Sequence, residues 1–353
     1  MTDDVEPSAG PDPTAATYLL PLRREDPGGL GDLPSYLHEV LSWAAVVVVD
    51  GSPPPVFASH ARLLPAGVEH VPPEFFCRNG KVSGVLTGLA RARTELLVIA
   101  DDDVRYSAAS FKWLTDLLAD AELVRPQNYF EPLPWHARWD TARTLINRAL
   151  GADYPGTLGV RRSILASAGG YSGDVLFENL ELIRTVRAAG GREVVAPSLF
   201  VRRQPCSARH FWKQRVRQAY DGFAQPARMA AELLLLPALL LAWKGGRGVS
   251  TPAAAVLAVG LAELGRRRNS GRSVFPASSA LWAPLWVLER SLGAWAALYC
   301  RLTGGVPYAG EWITTAGHST RVLRRRLRHK AAAGRIPDPF ATGSLRQMPV
   351  PTP

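Results

Sequence analysis

Three consecutive acids, Asp101, Asp102 and Asp103, follow the apolar run Leu96-Leu-Val-Ile-Ala100. Adjacent carboxylates repel one another and call for counter-charge. Side chains alternate along an extended strand, so Asp101 and Asp103 should share one side while Asp102 faces away. Two carboxylates on one side, completed by water and phosphate oxygens, suit a hard divalent cation, Mg2+ or Mn2+, bound together with a diphosphate. A further acid, Asp50, ends the β-branched run Ala44-Ala-Val-Val-Val-Val and is followed by the turn Gly51-Ser-Pro-Pro-Pro55. Ligands of open α/β sheets bind outside the carboxyl ends of the strands, so Asp50 and Asp101–Asp103 are expected to face one site. The competing reading, acids capping a helix that starts near Ser107, accounts for one of the three and not for all.

The elements that must position these acids can be read from periodicity. From Tyr18 to about Val201, short apolar runs alternate with amphipathic stretches, which predicts β-α-β units around a mostly parallel sheet with helices on both faces. Tyr18–Arg23 reads as the first strand, Leu33–Trp43 has helical apolar spacing, and a helix is expected over about 80–93. The chain has 353 residues, 47% of them hydrophobic and 20% charged, which excludes full disorder and a disulfide-stapled module. Its three cysteines, Cys77, Cys206 and Cys300, form no CxxC pair, so a zinc knuckle is excluded and a reducing compartment expected. Residues 1–16 are acidic and proline-containing, a solvated leader without the pattern of a signal peptide. The net charge of +10 draws on a cluster from Arg321 to Lys330 suited to anionic headgroups or nucleic acid, with a solvated tail as the plain alternative. No helix-turn-helix, zinc or aromatic-platform motif accompanies it, so no nucleic-acid partner is expected.

Four stretches then fall into a familiar order: the strand ending at Asp50, Asn79-Gly-Lys81 opening a helix, the strand ending in Asp101-x-Asp103, and Gly156–Tyr171 followed by Phe177-Glu-Asn-Leu-Glu181. Downstream, Gln214-Arg-Val-Arg217-Gln218 matches the QxxR part of a QxxRW signature. Over roughly residues 17–310 the chain resembles the GT-A fold glycosyltransferases of family 2, in particular the membrane-bound group of cellulose and hyaluronan synthases and ceramide glucosyltransferases. The resemblance implies a nucleotide-diphosphate sugar as donor, with Asp50, Lys81, Asp101, Gln214 and Arg217 binding it. Asp101 and Asp103 would hold the metal that neutralises the leaving diphosphate. It also implies an acidic general base. The family has Asp where this chain has Asn179, so Glu178 is the expected base and Glu181 its rival, the latter otherwise a surface residue of its helix. Gln218 replaces the family's Trp, which favours transfer of a single sugar over processive synthesis. Lys213 and Arg215 are read as an exposed basic face.

The last third is apolar. Met229–Trp243, Thr251–Leu264 and Ala277–Cys300 are separated by basic loops. The first two fall short of the roughly 20 residues needed to cross a bilayer alone and are expected to form a hairpin. Glu289-Arg290 in the middle of the third suits an interfacial helix or an internally paired charge. The sequence therefore divides into a leader (1–16), a catalytic domain (17–226), membrane-associated helices (227–303) and a basic, partly disordered tail (304–353). The expected protein is an inverting, metal-dependent glycosyltransferase of the cell membrane with its catalytic domain in the cytoplasm and a hydroxyl acceptor, a lipid. A short-polysaccharide synthase of the same fold and a catalytically silent nucleotide-binding scaffold are the alternatives.

Overall fold

The computed structural model describes residues 15–26, 29–151, 153–246, 250–308 and 310–332; most of the leader and the tail beyond 332 lie outside the described residues. The β-branched and apolar runs form strands β1 (Ala16–Leu22), β2 (Ala45–Asp50), β3 (Glu69–Val71), β4 (Leu96–Ala100), β5 (Val104–Arg105), β6 (Leu123–Phe130), β7 (Thr157–Arg161) and β8 (Glu193–Arg203). They share one sheet in the order β3-β2-β1-β4-β7-β6-β8-β5. The pairs β1–β2, β2–β3, β1–β4 and β6–β8 are parallel, while β7 runs antiparallel to β4 and β6, and β5 to β8. The α/β class with a mostly parallel sheet is the one the sequence predicts. The chain leaves β1 toward β2 and later returns on its other side as β4, so the carboxyl ends of β1 and β4 flank a topological switch point where a ligand crevice opens.

Helices cover both faces because the strands are buried on both. On one side α1 (Leu33–Val40) and α4 (Ala108–Leu117) bring Leu37, Val40, Phe111 and Leu114 onto Tyr18, Leu20 and Val48. On the other, α3 (Gly80–Arg91) and α7 (Glu178–Ala188) bring Val82, Leu89 and Ile183 onto Leu19, Leu97 and Ile99. Asn79 caps α3, its side-chain oxygen accepting from the backbone N–H groups of Lys81 and Val82 at 3.1 and 3.4 Å. This helix lies close against β1. A Cβ on Gly88 would fall 2.3 Å from Leu19 Cδ1, and one on Gly84 2.8 Å from Pro21 Cβ, so only glycine admits the approach that brings Lys81 to the crevice. The remaining helices of the domain are α2 (Pro54–Leu63), α5 (Trp135–Leu150), α6 (Arg162–Ser167) and α8 (Ala208–Tyr220).

The C-terminal helices are α9 (Pro226–Lys244), α10 (Ser250–Arg267) and α11 (Ala283–Leu302). Among the described residues only α9 is long and apolar enough to cross a membrane, and 6% of its apolar window is buried. Helices α9 and α10, the two segments expected to form a hairpin, touch each other, and α10 also packs on the catalytic domain. Helix α10 lies against α5 through Ala258 and Ala262, and its Gly265 approaches so closely that a Cβ would come 1.8 Å from the Leu145 carbonyl oxygen. The two charges in the middle of α11 are paired or buried inside the protein: Glu289 meets Arg215, and Arg290 is 5% exposed with its guanidinium 5.5 Å from the Trp286 ring centre. Arg215 is accordingly not part of an exposed face, as expected from sequence, but a buried tie that also reaches Asp140 at 2.7 Å. Two parts of the tail pack on the rest of the protein. A hairpin of β9 (Val306–Tyr308) and β10 (Glu311–Ile313) packs near α8 and α11, and α12 (Thr320–Ala332), carrying the basic cluster, lies on α7.

Candidate active site

A cleft of about 1190 Å³ opens at the switch point. Its floor is the turn after β4, its walls are the loop after β1, the start of α3, the start of α7, the end of β8 and one face of α8, and Tyr308 of the hairpin closes one end. Residues 101–103 have left the strand and form a turn closed by the Val104 N–H on the Asp101 carbonyl at 3.1 Å. The side chains nonetheless separate as alternation predicts. Asp101 and Asp103 converge on Arg203, at 3.2 Å through Nη2 and 2.8 Å through Nε, while Asp102 pairs with Arg24. Gly156 lies under this pair, where a Cβ would stand 2.5 Å from Asp101 Oδ2 and 3.0 Å from Arg203 Cζ.

Lys81 is the hub of a second cluster. Its Nζ lies 2.5 Å from Asp101 Oδ1 and 2.8 Å from Glu178 Oε1, and it donates to Asn179 Oδ1 at 3.2 Å. Burial opposes its charge, but Asp101 and Glu178 outweigh burial and raise its pKa above the ordinary lysine value. Burial pushes the Asp103 carboxyl up to about 6; Arg203 pulls it down, and the charges of Asp101 and Asp102 add to the rise. Arg203 lies above its ordinary value because the three acids prevail over its burial. Two carboxylates that converge on a single cation in a polar cleft have the donor chemistry of a hard divalent metal site. Among the described residues no group of three or more His, Cys, Asp or Glu side chains is arranged to hold a metal ion. A metal here would therefore take its remaining ligands from water and from a bound diphosphate.

Of the residues singled out from sequence, Lys81, Asp101, Asp103, Glu178, Gln214 and Arg217 line this one cleft. Gln214 accepts from Gln218 Nε2 at 3.1 Å, and the Arg217 guanidinium lies 5.1 Å from the Tyr308 ring centre. Two expectations fail. Asp50 is 1% exposed and does not line the cleft. Its carboxylate is taken up beneath it by His60 Nδ1 at 2.7 Å, His70 Nε2 at 3.1 Å and the Ser52 N–H at 2.9 Å. Burial opposes its charge, yet the hydrogen bonds from His70, Ser52 and His60 win and lower its pKa to about 2. These partners hold Asp50 at the end of β2, between Val49 and Gly51 of the cleft wall. Glu181, the rival base, is likewise sealed at 0% exposure, holding the His318 N–H at 2.8 Å and His318 Nδ1 at 2.7 Å. It fastens the segment between β10 and α12 to α7.

Sequence reading missed Arg24, Arg203, Tyr308 and Asp221, all on the cleft wall. Two of them left a signal: Asp221 stands seven residues after Gln214 and four after Arg217, on the same helical face, and Tyr308 lies in the glycine-rich segment Gly304–Gly310, which resembles one that follows the last membrane helix in related transferases. The aromatic residues Trp135 and Trp139 pack with Phe211 and Trp212 and do not line the cleft; Trp139 and Phe211 are buried, Trp135 and Trp212 exposed.

No family model and no curated protein matches the chain. Solved structures are similar to it in fold. One is the mannosyltransferase PcManGT from Pyrobaculum calidifontis in complex with GDP-Man and Mn2+, 19% identical over 97% of this chain and 87% of that one, with a TM-score of 0.45. Another is glucosyl-3-phosphoglycerate synthase from Mycobacterium tuberculosis in complex with Mn2+, UDP and phosphoglyceric acid, 17% identical over 58% of this chain and 76% of that one, TM-score 0.39. A third is mannosyl-3-phosphoglycerate synthase from Rubrobacter xylanophilus, 13% identical over 62% and 75%, TM-score 0.41.

Proposed function

We propose that the protein is a glycosyltransferase that moves one sugar from a nucleotide-diphosphate sugar to a hydroxyl acceptor, assisted by Mg2+ or Mn2+. The observation that carries this reading is the convergence of Asp101 and Asp103 on one cation at the switch point of the sheet, with Lys81 and Arg203 beside them. When bound, the metal would be held by these two aspartates and would supply charge for the departing diphosphate. Lys81 and Arg203 already lie where negative charge gathers, and Arg217 offers a planar fork to phosphate oxygens. Asn179 cannot accept a proton as a carboxylate would; it accepts from Lys81 and donates to the Pro155 carbonyl at 3.0 Å, which fixes the start of α7 beside the cleft. Inversion at the anomeric carbon belongs to the single displacement implied by the family resemblance.

A lipid acceptor and a membrane location belong to the same proposal. Exposed apolar side chains gather on the C-terminal helices, among them Leu234, Leu240, Leu241 and Trp243 on α9, Leu257 on α10 and Leu292 and Trp295 on α11. A patch of this kind marks an interaction surface, and a bilayer is its occupant in this reading. The catalytic domain would face the cytoplasm with the basic helix α12 on the same side, following the positive-inside tendency. The test offers GDP-mannose and UDP-glucose, labelled in the sugar, to membranes containing the full chain, with Mn2+ or with chelator. Label is expected in the lipid extract, abolished by chelator and by Asp103→Ala. Label in polymer indicates the polysaccharide synthase instead, and donor binding without transfer to any acceptor indicates the silent scaffold that Asn179 favours.

A further inference from the structure

Six acids line the cleft: Asp32, Asp101, Asp102, Asp103, Glu178 and Asp221. Five are matched to a cation. Asp32 pairs with Arg105, Asp101 with Lys81 and Arg203, Asp102 with Arg24, Asp103 with Arg203, and Glu178 with Lys81. Asp221 forms no ion pair with any described residue, and its Oδ1 is buried without a hydrogen-bond partner. A buried polar oxygen left unmatched costs stability, so its retention asks for a use. The position suggests one. Asp221 directly follows α8 and stands where the cleft meets a second cavity of about 80 Å³, which reaches Glu232 of α9 and Arg290 of α11. An acceptor arriving from the side of the apolar helices would pass this carboxylate before reaching the metal-binding pair.

We propose that Asp221 is the general base of the transfer, in place of the carboxylate that Asn179 does not provide. The inference rests on the transferase reading above. In the step, the acceptor O–H proton passes to the Asp221 carboxylate as the acceptor oxygen forms its bond to the anomeric carbon. The bond from that carbon to the diphosphate breaks, its electron pair leaving on the nucleoside diphosphate, and the proton is later lost to water. The other acids are less suited: Glu178 is held by Lys81, and Glu181 lies sealed against His318.

The surroundings of Asp221 agree. Glu178 faces it from α7, Arg217 from its own helix, Arg143 from α5 and Arg290 from α11, with Asp153, Arg228 and Glu232 farther along the smaller cavity. Burial and then Glu178 outweigh the three arginines and push its carboxyl up to about 8, near the range in which a general base works best.

The experiment uses the full chain in detergent with Mn2+, GDP-mannose or UDP-glucose, and diacylglycerol in phosphatidylcholine micelles as the hydroxyl acceptor. Release of nucleoside diphosphate is followed, with water as the acceptor in the lipid-free control. Asp221→Asn should lower kcat by about 10²- to 10⁴-fold while donor affinity stays at the wild-type value. Asp221→Ala should regain activity when formate is added, a rescue that a merely structural residue would not show. Unchanged kcat in Asp221→Asn with donor bound would overturn the assignment; an acceptor that is already anionic would produce that result. Loss of donor binding together with turnover would overturn it as well, by showing a structural role. Wild-type protein that binds donor but releases no nucleotide even to water overturns Asp221 as base and the transferase reading with it, leaving the silent scaffold, whereas unchanged kcat in Asp221→Asn overturns the base alone. Failure of the wild type to bind any donor takes both down.

Discussion

At the scale of single residues, the site depends on which acids have partners. Spacing in the sequence identifies Asp101 and Asp103 as a pair, and the resemblance to the glycosyltransferases adds Lys81, Gln214 and Arg217 as their company. It does not reveal that Asp50 turns down to His60 and His70, or that Glu181 closes on His318 across 137 positions of chain. Periodicity says that a residue is inward, and inward acids find either a cavity or a buried donor. For Asp50 the donors settle the matter and bring a pH dependence. Its folded pKa of about 2 lies below the ordinary carboxylate value, so it stabilises the fold above about pH 4, and that stability is lost as the pH falls toward 2. The gain is about 2 kcal/mol, from a shift of roughly two units. Urea unfolding of wild type and Asp50→Asn should differ at pH 7 and converge near pH 2. Gly156→Ala is the companion test of close approach. Its Cβ would collide with Asp101 and Arg203, so metal-dependent donor binding should fall while the melting temperature moves little.

At the scale of elements, the strands β1, β2 and β4 and the helix α3 follow from apolar runs and from the Asn79 cap. The antiparallel insertion of β7 between β4 and β6 does not, since nothing local to Thr157–Arg161 states its direction. The third apolar segment was readable as a helix, but the partner of its Glu289 was not, for Arg215 sits 74 residues away on α8. Glu181 ties α7 to the segment that leads into α12, and α12 rests on α7. Glu181→Ala leaves the part-buried His318 N–H unmatched and should cost about 1–3 kcal/mol in urea unfolding, while donor affinity stays unchanged. Loss of turnover without loss of stability would instead restore Glu181 as the rival base. Gly265→Val should separate α10 from α5, lowering the melting temperature, because the carbonyl of Leu145 leaves no room for a side chain.

At the scale of the whole molecule, the sheet domain and an apolar helical layer pack together through α5, α8 and α11. The cleft lies at the carboxyl ends of β1 and β4, and the smaller cavity leads from it toward α9 and α11. If that layer faces lipid, replacing Leu240, Leu241 and Trp243 together by serine should reduce co-sedimentation with phosphatidylcholine vesicles and leave donor binding intact. Equal sedimentation of both proteins would remove the bilayer from the account without touching the cleft. The central claim concerns the cleft itself: Asp101 and Asp103 hold a metal and with it the diphosphate of a donor. Titration calorimetry of GDP-mannose and UDP-glucose into the detergent-solubilised full chain, with Mn2+ or with chelator, tests it most directly. The account predicts that at least one of them binds wild type with Mn2+, loses most of its affinity with chelator and does not bind Asp103→Ala. Binding indifferent to metal and to Asp103→Ala, or no binding of either nucleotide sugar, would contradict it.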